Sequence, residues 1–421
     1  MPNSGPGDLE SGFYPQQVRG PVKNLRITFW GTQGSVPIFP QLSGVYEYAR
    51  RSAVDALYRA WKDLSERARS GLWDLDDLKA SAPDLKRIDE YQKQLGLVSI
   101  PIYGGDTTCC EVETAEGDTI LLDAGTAVRN AARAIVQRTQ NQKNRTIHLL
   151  ATHEHLDHRG GLPFAQFCYE RDNPFTVNLY GTHGYLSTLD THYGLFSHPE
   201  ISPEKTPMIH SDDPVDYRMI AATFRGIELR EDPHRDHATG RPYPPADQLP
   251  WEVGDVNWVI RIGRASVTAI DLYHGRIRSL AYRIDYNGKS FVFCTDHEFR
   301  HGSDPTDERQ IRSAKAEKRV RELCDGVDVA YFDGQYLRRE YDGQVGIGVS
   351  PKVPKMDWGH SCIEDCLDRA RQCHIGQTYI GHHDPEREWP ERLELDAMLS
   401  RWSAEHGHQV RLARAELVVD L

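Results

Sequence analysis

In ATHEHLDHRGG, residues 151–161, the side chains of His153, His155, Asp157 and His158 fall within six positions, with Glu154 and Leu156 as spacers. The run follows IHLLA, an apolar stretch of strand type, so these side chains leave a strand end in a loop and can be aimed at one point. Imidazole nitrogens and a carboxylate are the donors that divalent zinc prefers. One histidine after a strand would carry no message. Four donors in this order point to a metal site.

Three later residues occupy comparable places. His274 closes the β-patterned run AIDLYH, Asp296 follows SFVFCT, and His382 follows TYIG. His382 and His383 are adjacent, and on a strand their side chains point to opposite faces, so one of the two is expected to reach a metal. His360, in GHSC, is a candidate of another kind. A histidine can donate a proton or hydrogen bond where charge gathers on a reacting oxygen at neutral pH. The plainer alternative is a surface histidine beside a helix that begins near Ser361, with Ser361 as N-cap and Glu364 completing a capping box. His234 and His237, in PHRDH, are a weaker pair because they lie in an acidic stretch.

The elements that must position these residues alternate along the chain. LRITFWG is a strand that runs into a Gly-rich loop, and CCEVETAEGDTILLDAG is a strand pair about a Glu-Gly-Asp turn. A helix near 127–138, the strand TIHLLATH, a helix starting near Gly160 and the strand TVNLYG follow, which is α/β alternation. ASVTAIDLYH, SLAYRIDYNG, SFVFCTDH and DVAYFDGQ are further strands, and a helix from Ile363 to Gln372 leads to TYIGHH. Between Leu42 and Gly96, the residues Val54, Leu57, Trp61, Leu64 and Ala68 recur at helical spacing, with Gly71 as a stop. That helical segment reads as an insertion packed on the core or a partner, or else as a lid.

The H-x-H-x-D-H run resembles the hallmark of the metallo-β-lactamase superfamily, and the resemblance extends over most of the chain. Asp123 in ILLDAGT resembles the aspartate that ends an early strand of that fold and braces the metal loop. The closest likeness is to the branch that holds ribonuclease Z and small cyclic-nucleotide phosphodiesterases. It rests on GTQGSVP at 31–37, on GGDTTC at 104–109, with Asp106 where Asn is usual, on DGQY at 333–336, and on GHSC at 359–362, with Cys362 where Thr is common.

The resemblance implies an α/β fold, the four-layer αβ/βα sandwich with two mixed sheets inside and helices outside. Residues 1–24 are expected to be a flexible arm and 25–421 a hydrolase domain, with a helical insertion at about 39–100 and a loop-rich insertion at about 184–260. It also implies two divalent metal ions, zinc foremost, with manganese or iron also suited to the mixed nitrogen and oxygen donors. His153, His155 and His274 would hold the first, Asp157, His158 and His382 the second, and Asp296 would bridge them. Two such cations about 3.5–4 Å apart share a hydroxide and polarise a phosphoryl oxygen. Family likeness favours His382 over His383 as the ligand. The implied catalytic residues are Asp157, which orients the attacking water, and His360, which donates to the phosphate or the leaving oxygen.

The function these features imply is a metal-dependent hydrolase of phosphodiester bonds, acting on cyclic or short nucleotides. Three alternatives stay open: a ribonuclease Z-like RNA endonuclease, a hydrolase of lactones, thioesters or sulfate esters, and a metal-containing sensor without turnover. The expected partner is a small anionic phosphodiester. A net charge of −12 disfavours a general grip on RNA. Arg159, Arg276 and Arg278 nevertheless follow metal-loop residues directly and offer local positive potential. The resembling enzymes are often homodimers, for which the apolar face of the helical insertion would serve. No apolar run approaches the roughly 20 residues that span a bilayer, and no apolar leader opens the chain, so a cytoplasmic protein without membrane contact is expected. The eight cysteines form no C-x-x-C pair and are expected to be reduced.

Overall fold

The computed structural model describes residues 20–37, 42–71, 91, 105–196, 220–229, 251–253, 258–347 and 353–421. Most of the expected N-terminal arm, the second half of the helical insertion, and His234 and His237 lie outside the described residues.

One sheet holds seven strands. In chain order they are β1 (Leu25–Gly31), β2 (Cys109–Thr114), β3 (Thr119–Leu122), β4 (Arg145–Leu150), β5 (Phe175–Gly181), β6 (Thr223–Glu228) and β15 (Leu417–Asp420), and their spatial order is β15-β1-β2-β3-β4-β5-β6. The other has eight: β7 (Trp251–Val253), β8 (Trp258–Ile262), β9 (Ala265–His274), β10 (Ile277–Tyr286), β11 (Lys289–Cys294), β12 (Val329–Asp333), β13 (Gln377–Gly381) and β14 (Gln409–Leu412). Its order is β14-β13-β12-β11-β10-β9-β8-β7. β3 to β6 run parallel, as do β11 to β14.

Both faces of each sheet are covered, and the alternation of side chains shows how. On β3, Ile120 and Leu122 enter the core between the sheets while Leu121 points outward. On β11, Phe291 and Phe293 face inward, and Val292 and Cys294 outward. Phe29 joins the two sheets, with ring centroids 5.4 Å from Tyr331 and 5.2 Å from Tyr379. Helices α2 (Val128–Thr139) and α3 (His183–Tyr193) cover the first sheet. Helices α4 (Glu308–Cys324), α6 (Ile363–Gln372) and α7 (Trp389–His406) cover the second. A short helix, α5 (Arg338–Tyr341), follows β12. Two outer cores and one inner core make the four expected layers.

The insertion begins with a 28-residue helix, α1 (Leu42–Arg69), and Gly71 stands at φ 67°, as its expected stop requires. Val54, Leu57 and Trp61 on it are exposed, so this apolar stripe is not packed on the described core. The loop-rich stretch at 184–260 contains most of α3, all of β6 and β7, and the start of β8.

Two local expectations are corrected. The segment after Gly160 is no α-helix but a series of 3-10 turns, Leu162–Phe164 and Gln166–Cys168. Gly161 packs so closely that a Cβ there would lie 2.1 Å from the Gly125 carbonyl oxygen, and Pro163 supplies no N–H to a helical ladder. The N-cap of α6 is Cys362, not Ser361: the Cys362 N–H donates to Asp365 Oδ2 at 3.2 Å. The Ser361 hydroxyl is spent on the His297 carbonyl instead.

α4 and α6 are locked together by a buried ion pair. Arg369 Nη2 donates to Glu317 Oε2 at 2.6 Å, and His297 Nε2 lies 3.2 Å from the same oxygen. Burial pushes the Glu317 carboxyl up, but Arg369 and His297 hold it below the ordinary range. A depressed folded-state pKa gives stability that is present above the unfolded value, about 4.3, and is lost as pH falls. Arg321 Nε also donates to Glu317 Oε1, at 2.7 Å, so Arg369→Met should cost about 1.5–3 kcal/mol at pH 7 by removing one of several partners of a buried carboxylate. In urea titrations the deficit should narrow toward pH 4, where the less supported carboxylate takes up a proton.

Candidate metal centre

The metal-binding candidates gather where strands of both sheets end. β4 delivers His153, His155, Asp157 and His158, β9 ends in His274, Asp296 follows β11, and His382 follows β13. Ligands characteristically lie beyond the carboxyl ends of strands in α/β proteins. Asp123, Asp296 and His382 all have positive φ, at 61°, 54° and 52°. A non-glycine residue there is uncommon, and these three occupy strand-end turns that swing side chains toward one centre.

Asp296 stands between two sets of histidines. Its Oδ1 lies 3.7 Å from His153 Nε2 and 3.8 Å from His274 Nε2. Its Oδ2 lies 3.2 Å from His158 Nε2 and 3.3 Å from His382 Nε2. His155 Nδ1 completes the first set, 2.9 Å from His153 Nε2 and 3.3 Å from His274 Nε2. Asp157 Oδ2 completes the second, 3.3 Å from His158 Nε2 and 3.2 Å from His382 Nε2. Candidate donors of each set lie within 4.8 Å of one another.

The outer ring atoms are held from behind. His158 Nδ1 is 2.7 Å from Asp123 Oδ2, and Asp123 in turn accepts from Thr152 N–H at 2.8 Å and from the Thr152 hydroxyl. Thr152 Oγ1 also lies 3.0 Å from His153 Nδ1, and His274 Nδ1 lies 2.8 Å from the Gly359 carbonyl. The Ser35 N–H donates to Asp157 Oδ2 at 2.8 Å. Such contacts fix tautomer and aim in metal-ligating histidines. Ser35, Thr152 and Gly359 were not singled out from sequence, because their roles follow from strand register rather than from residue type.

A test of fit lies in the inward-facing atoms. His158 Nε2 is buried without a hydrogen-bond partner, and the imidazoles of the first set point nitrogens at one another. Burial pushes His153 well below its ordinary pKa, and His274 down to about 3, so both are neutral at pH 7. Against their burial, the histidines around Asp157 and Asp296 hold both carboxyls well below the usual range. Neutral imidazoles and ionised carboxylates are the forms that bind divalent cations, and His158, which burial lowers but Asp157, Asp296 and Asp123 carry well above its ordinary pKa, has a proton to release before it can join them. The donor set of imidazoles and carboxylates is one that divalent metal ions accept.

Gly359 is required by this arrangement. It has φ 90°, and a Cβ would stand 2.1 Å from His274 Nδ1. Gly359→Ala is expected to displace the His274 ring and to weaken metal binding by about 10–100-fold, the usual cost of losing an outer partner of a ligand. Metal content after dialysis measures this.

His383 turns away, its Nε2 lying 2.8 Å from the Ala413 carbonyl. Strand alternation is not the reason, since β13 ends at Gly381 and both histidines lie beyond it. The His382 N–H donates to Tyr331 Oη at 3.0 Å, which anchors the turn that separates them.

His360 is buried rather than on the surface. Its Nδ1 lies 2.8 Å from Asp333 Oδ2, and its ring stacks on His382 at a centroid distance of 4.9 Å. Burial lowers its pKa, but Asp333, and more distantly Asp296 and Asp157, bring it up to about 9. Asp333, present in sequence only as part of the DGQY likeness, is the partner that orients this ring. Arg159 is spent on the Glu154 carbonyl. Asp296, Asp333, His360 and His382 also cluster, and a separate group, His301, Cys362 and Asp365, is occupied by the Arg338 guanidinium, which donates to Cys362 Sγ and Asp365 Oδ1. The eight cysteines are all buried and unpaired.

Residues 102–166 match the family model of the metallo-beta-lactamase superfamily. No curated protein is matched by the chain. Among solved structures, a diphosphatase of the PhnP family aligns over 94% of this chain and 98% of its own, at 14% identity and TM-score 0.48. Human short-form tRNase Z aligns over 94% and 98%, at 15% and 0.45. Zinc-bound PqqB from Methylobacterium extorquens aligns over 94% and 100%, at 15% and 0.46. The matched segment holds the whole His153–His158 run, and it lies within the two sandwiched sheets flanked by helices described above. Among the described residues, no helix is long and apolar enough to cross a membrane.

Proposed function

We propose that the chain is a dinuclear metal hydrolase of phosphodiester bonds, with cyclic or short nucleotides as the favoured substrates. The observation that carries this reading is Asp296, whose two oxygens face two separate donor sets. His153, His155 and His274 would hold one divalent cation, Asp157, His158 and His382 the other, with Asp296 between. Such a pair supplies Lewis acidity and makes a water nucleophile available near neutral pH.

The remaining work falls to the chain itself. Asp157, ionised and held by the Ser35 N–H, would orient the attacking water by accepting its hydrogen bond. His360 has Nδ1 committed to Asp333, so Nε2 is its free donor. A ring with pKa near 9 carries its proton at pH 7, which suits a donor to a phosphoryl or leaving oxygen. That His360–Asp333 pair favours phosphate over a neutral acyl group.

The direct test is hydrolysis of bis-p-nitrophenyl phosphate before and after chelation. Turnover should vanish with a chelator and return with added zinc or manganese. Turnover indifferent to chelation would sink the mechanism. Bound metal without turnover on any phosphodiester would favour the sensor or another ester class.

A further inference from the structure

A second feature lies behind the hairpin that carries His274. β9, β10 and the facing side of α4 enclose a cavity of about 370 Å³ lined by Tyr273, Arg276, Arg278, Arg312, Lys315 and Arg319. In a chain of net charge −12, five cations meet here with a single carboxylate, Asp271. That carboxylate is paired with Arg278 at 2.7 Å. Arg276, Arg312 and Lys315 form an exposed rim with no ion-pair partner among the described residues.

Three of the lining residues hold unspent donors. Tyr273 is 3% exposed, and its hydroxyl, Arg278 Nη2 and Arg319 Nε are buried without hydrogen-bond partners. The acidic groups that act on Tyr273 from its other side, Glu298 and Asp357, are already engaged. Glu298 accepts from Tyr341 and from the N–H groups of Asp357 and Gly359, and Asp357 accepts from Arg300 and Arg309. A buried donor left unmade costs about 1–3 kcal/mol, so three beneath a cationic rim call for a group with several acceptor oxygens.

We propose that this cavity is an anion site, separate from the metal centre, that takes the phosphoryl or pyrophosphoryl group of a small molecule. A metal cation is excluded by the charge of the lining. His274 borders the cavity while its ring nitrogens are engaged with the Gly359 carbonyl and His155, so the site abuts the metal centre and those donors are directed elsewhere. The proposal does not rest on the hydrolase reading, since occupancy is read by binding and needs no turnover.

The test is calorimetric titration of sodium pyrophosphate into the full-length protein, as purified and after chelation. One saturable site that weakens with salt is expected in the chelated protein, and the metal-loaded protein should keep it beside any binding at the metals. Arg312→Gln with Lys315→Gln, both exposed on α4, should weaken binding by about tenfold or more. Tyr273→Phe, which keeps the ring, should weaken it severalfold. Asp296→Asn, which alters only the metal centre, should leave it unchanged. No saturable binding to chelated protein overturns the proposal. So does binding that Asp296→Asn abolishes and the α4 double variant spares, because the anion then sits at the metals. Dinucleotides with and without a 5′-phosphate separate the sources. Pyrophosphate competing only against the phosphorylated one assigns the group to the substrate's own tail. Binding without competition assigns it to a separate phosphorylated ligand, and both results support the site.

Discussion

An Asp296→Asn protein is expected to fold, to lose bound metal from both clusters, and to hydrolyse phosphodiesters slower by on the order of 10³-fold or more, the scale of several kcal/mol of metal-derived stabilisation. The backbone gives reason to expect a folded protein. Asp296 sits at φ 54°, and asparagine is among the few residues that tolerate such a conformation, so no strain is added. The chemistry gives reason to expect the loss. With oxygens 3.2–3.8 Å from four imidazole nitrogens, the carboxylate offers an acceptor to each set. An amide replaces one of those oxygens with an NH₂ that can only donate. Whichever way the amide turns, one set of ring nitrogens faces a donor. Metal analysis after dialysis, with circular dichroism as the control for folding, reads the outcome. An Asp296→Asn protein that retains two tightly held metals and full turnover would remove the basis for a shared centre. A protein that keeps one metal and loses turnover would instead mark one cluster as tight and the other as dependent on the bridge.

The same geometry explains what could be read from sequence and what could not. The positions that meet here were legible because each follows an apolar run of strand type, and parallel strands in neighbouring positions deliver their carboxyl ends to one edge. The partners behind them were not legible. Thr152 serves both Asp123 and His153, and Gly359 reaches His274 across 85 positions, contacts set by how strands and the loops that follow them come together within each sheet. Asp333 meets His360 for the same reason, from the end of β12 to a loop 27 residues on. The misplaced helix after Gly160 and the one-residue shift of the α6 cap have local causes. Gly161 is fixed by its approach to Gly125, a tertiary contact that overrides any helical pattern. Ser361 has the better capping side chain by type, yet its hydroxyl is claimed by the His297 carbonyl, and the cap passes to Cys362. The choice of His382 over His383 was expected from family likeness, and the expectation that one of the two turns away rested on a strand alternation that does not apply. A positive φ at His382 does that work instead.

His360→Ala should lower kcat by about 10²–10³-fold with metal content intact, the range usual for a positioned acid. His360 touches the centre from the side, stacked on His382 and bonded to Asp333, so a purely structural role would show as weakened metal binding rather than as lost kcat. Asp333→Asn should fall between wild type and His360→Ala, since it keeps the ring but loses the charge that holds its proton. The sign of the pH effect follows from that pair. A raised pKa means the proton is present below the shifted value and lost above it, so activity that needs the donor declines on the alkaline side. Cations held at the proposed centre would repel the imidazolium and move that limb below 9. Both variants should flatten it. The leaving group then separates two ways of donating. p-Nitrophenolate departs without help, whereas the alkoxide of a nucleoside needs a proton. If His360 serves the leaving oxygen, the deficit of His360→Ala is small on bis-p-nitrophenyl phosphate and grows with the basicity of the departing oxygen. A deficit equal on both substrates places its hydrogen bond on a non-bridging phosphoryl oxygen, and no deficit on either would return His360 to a structural part.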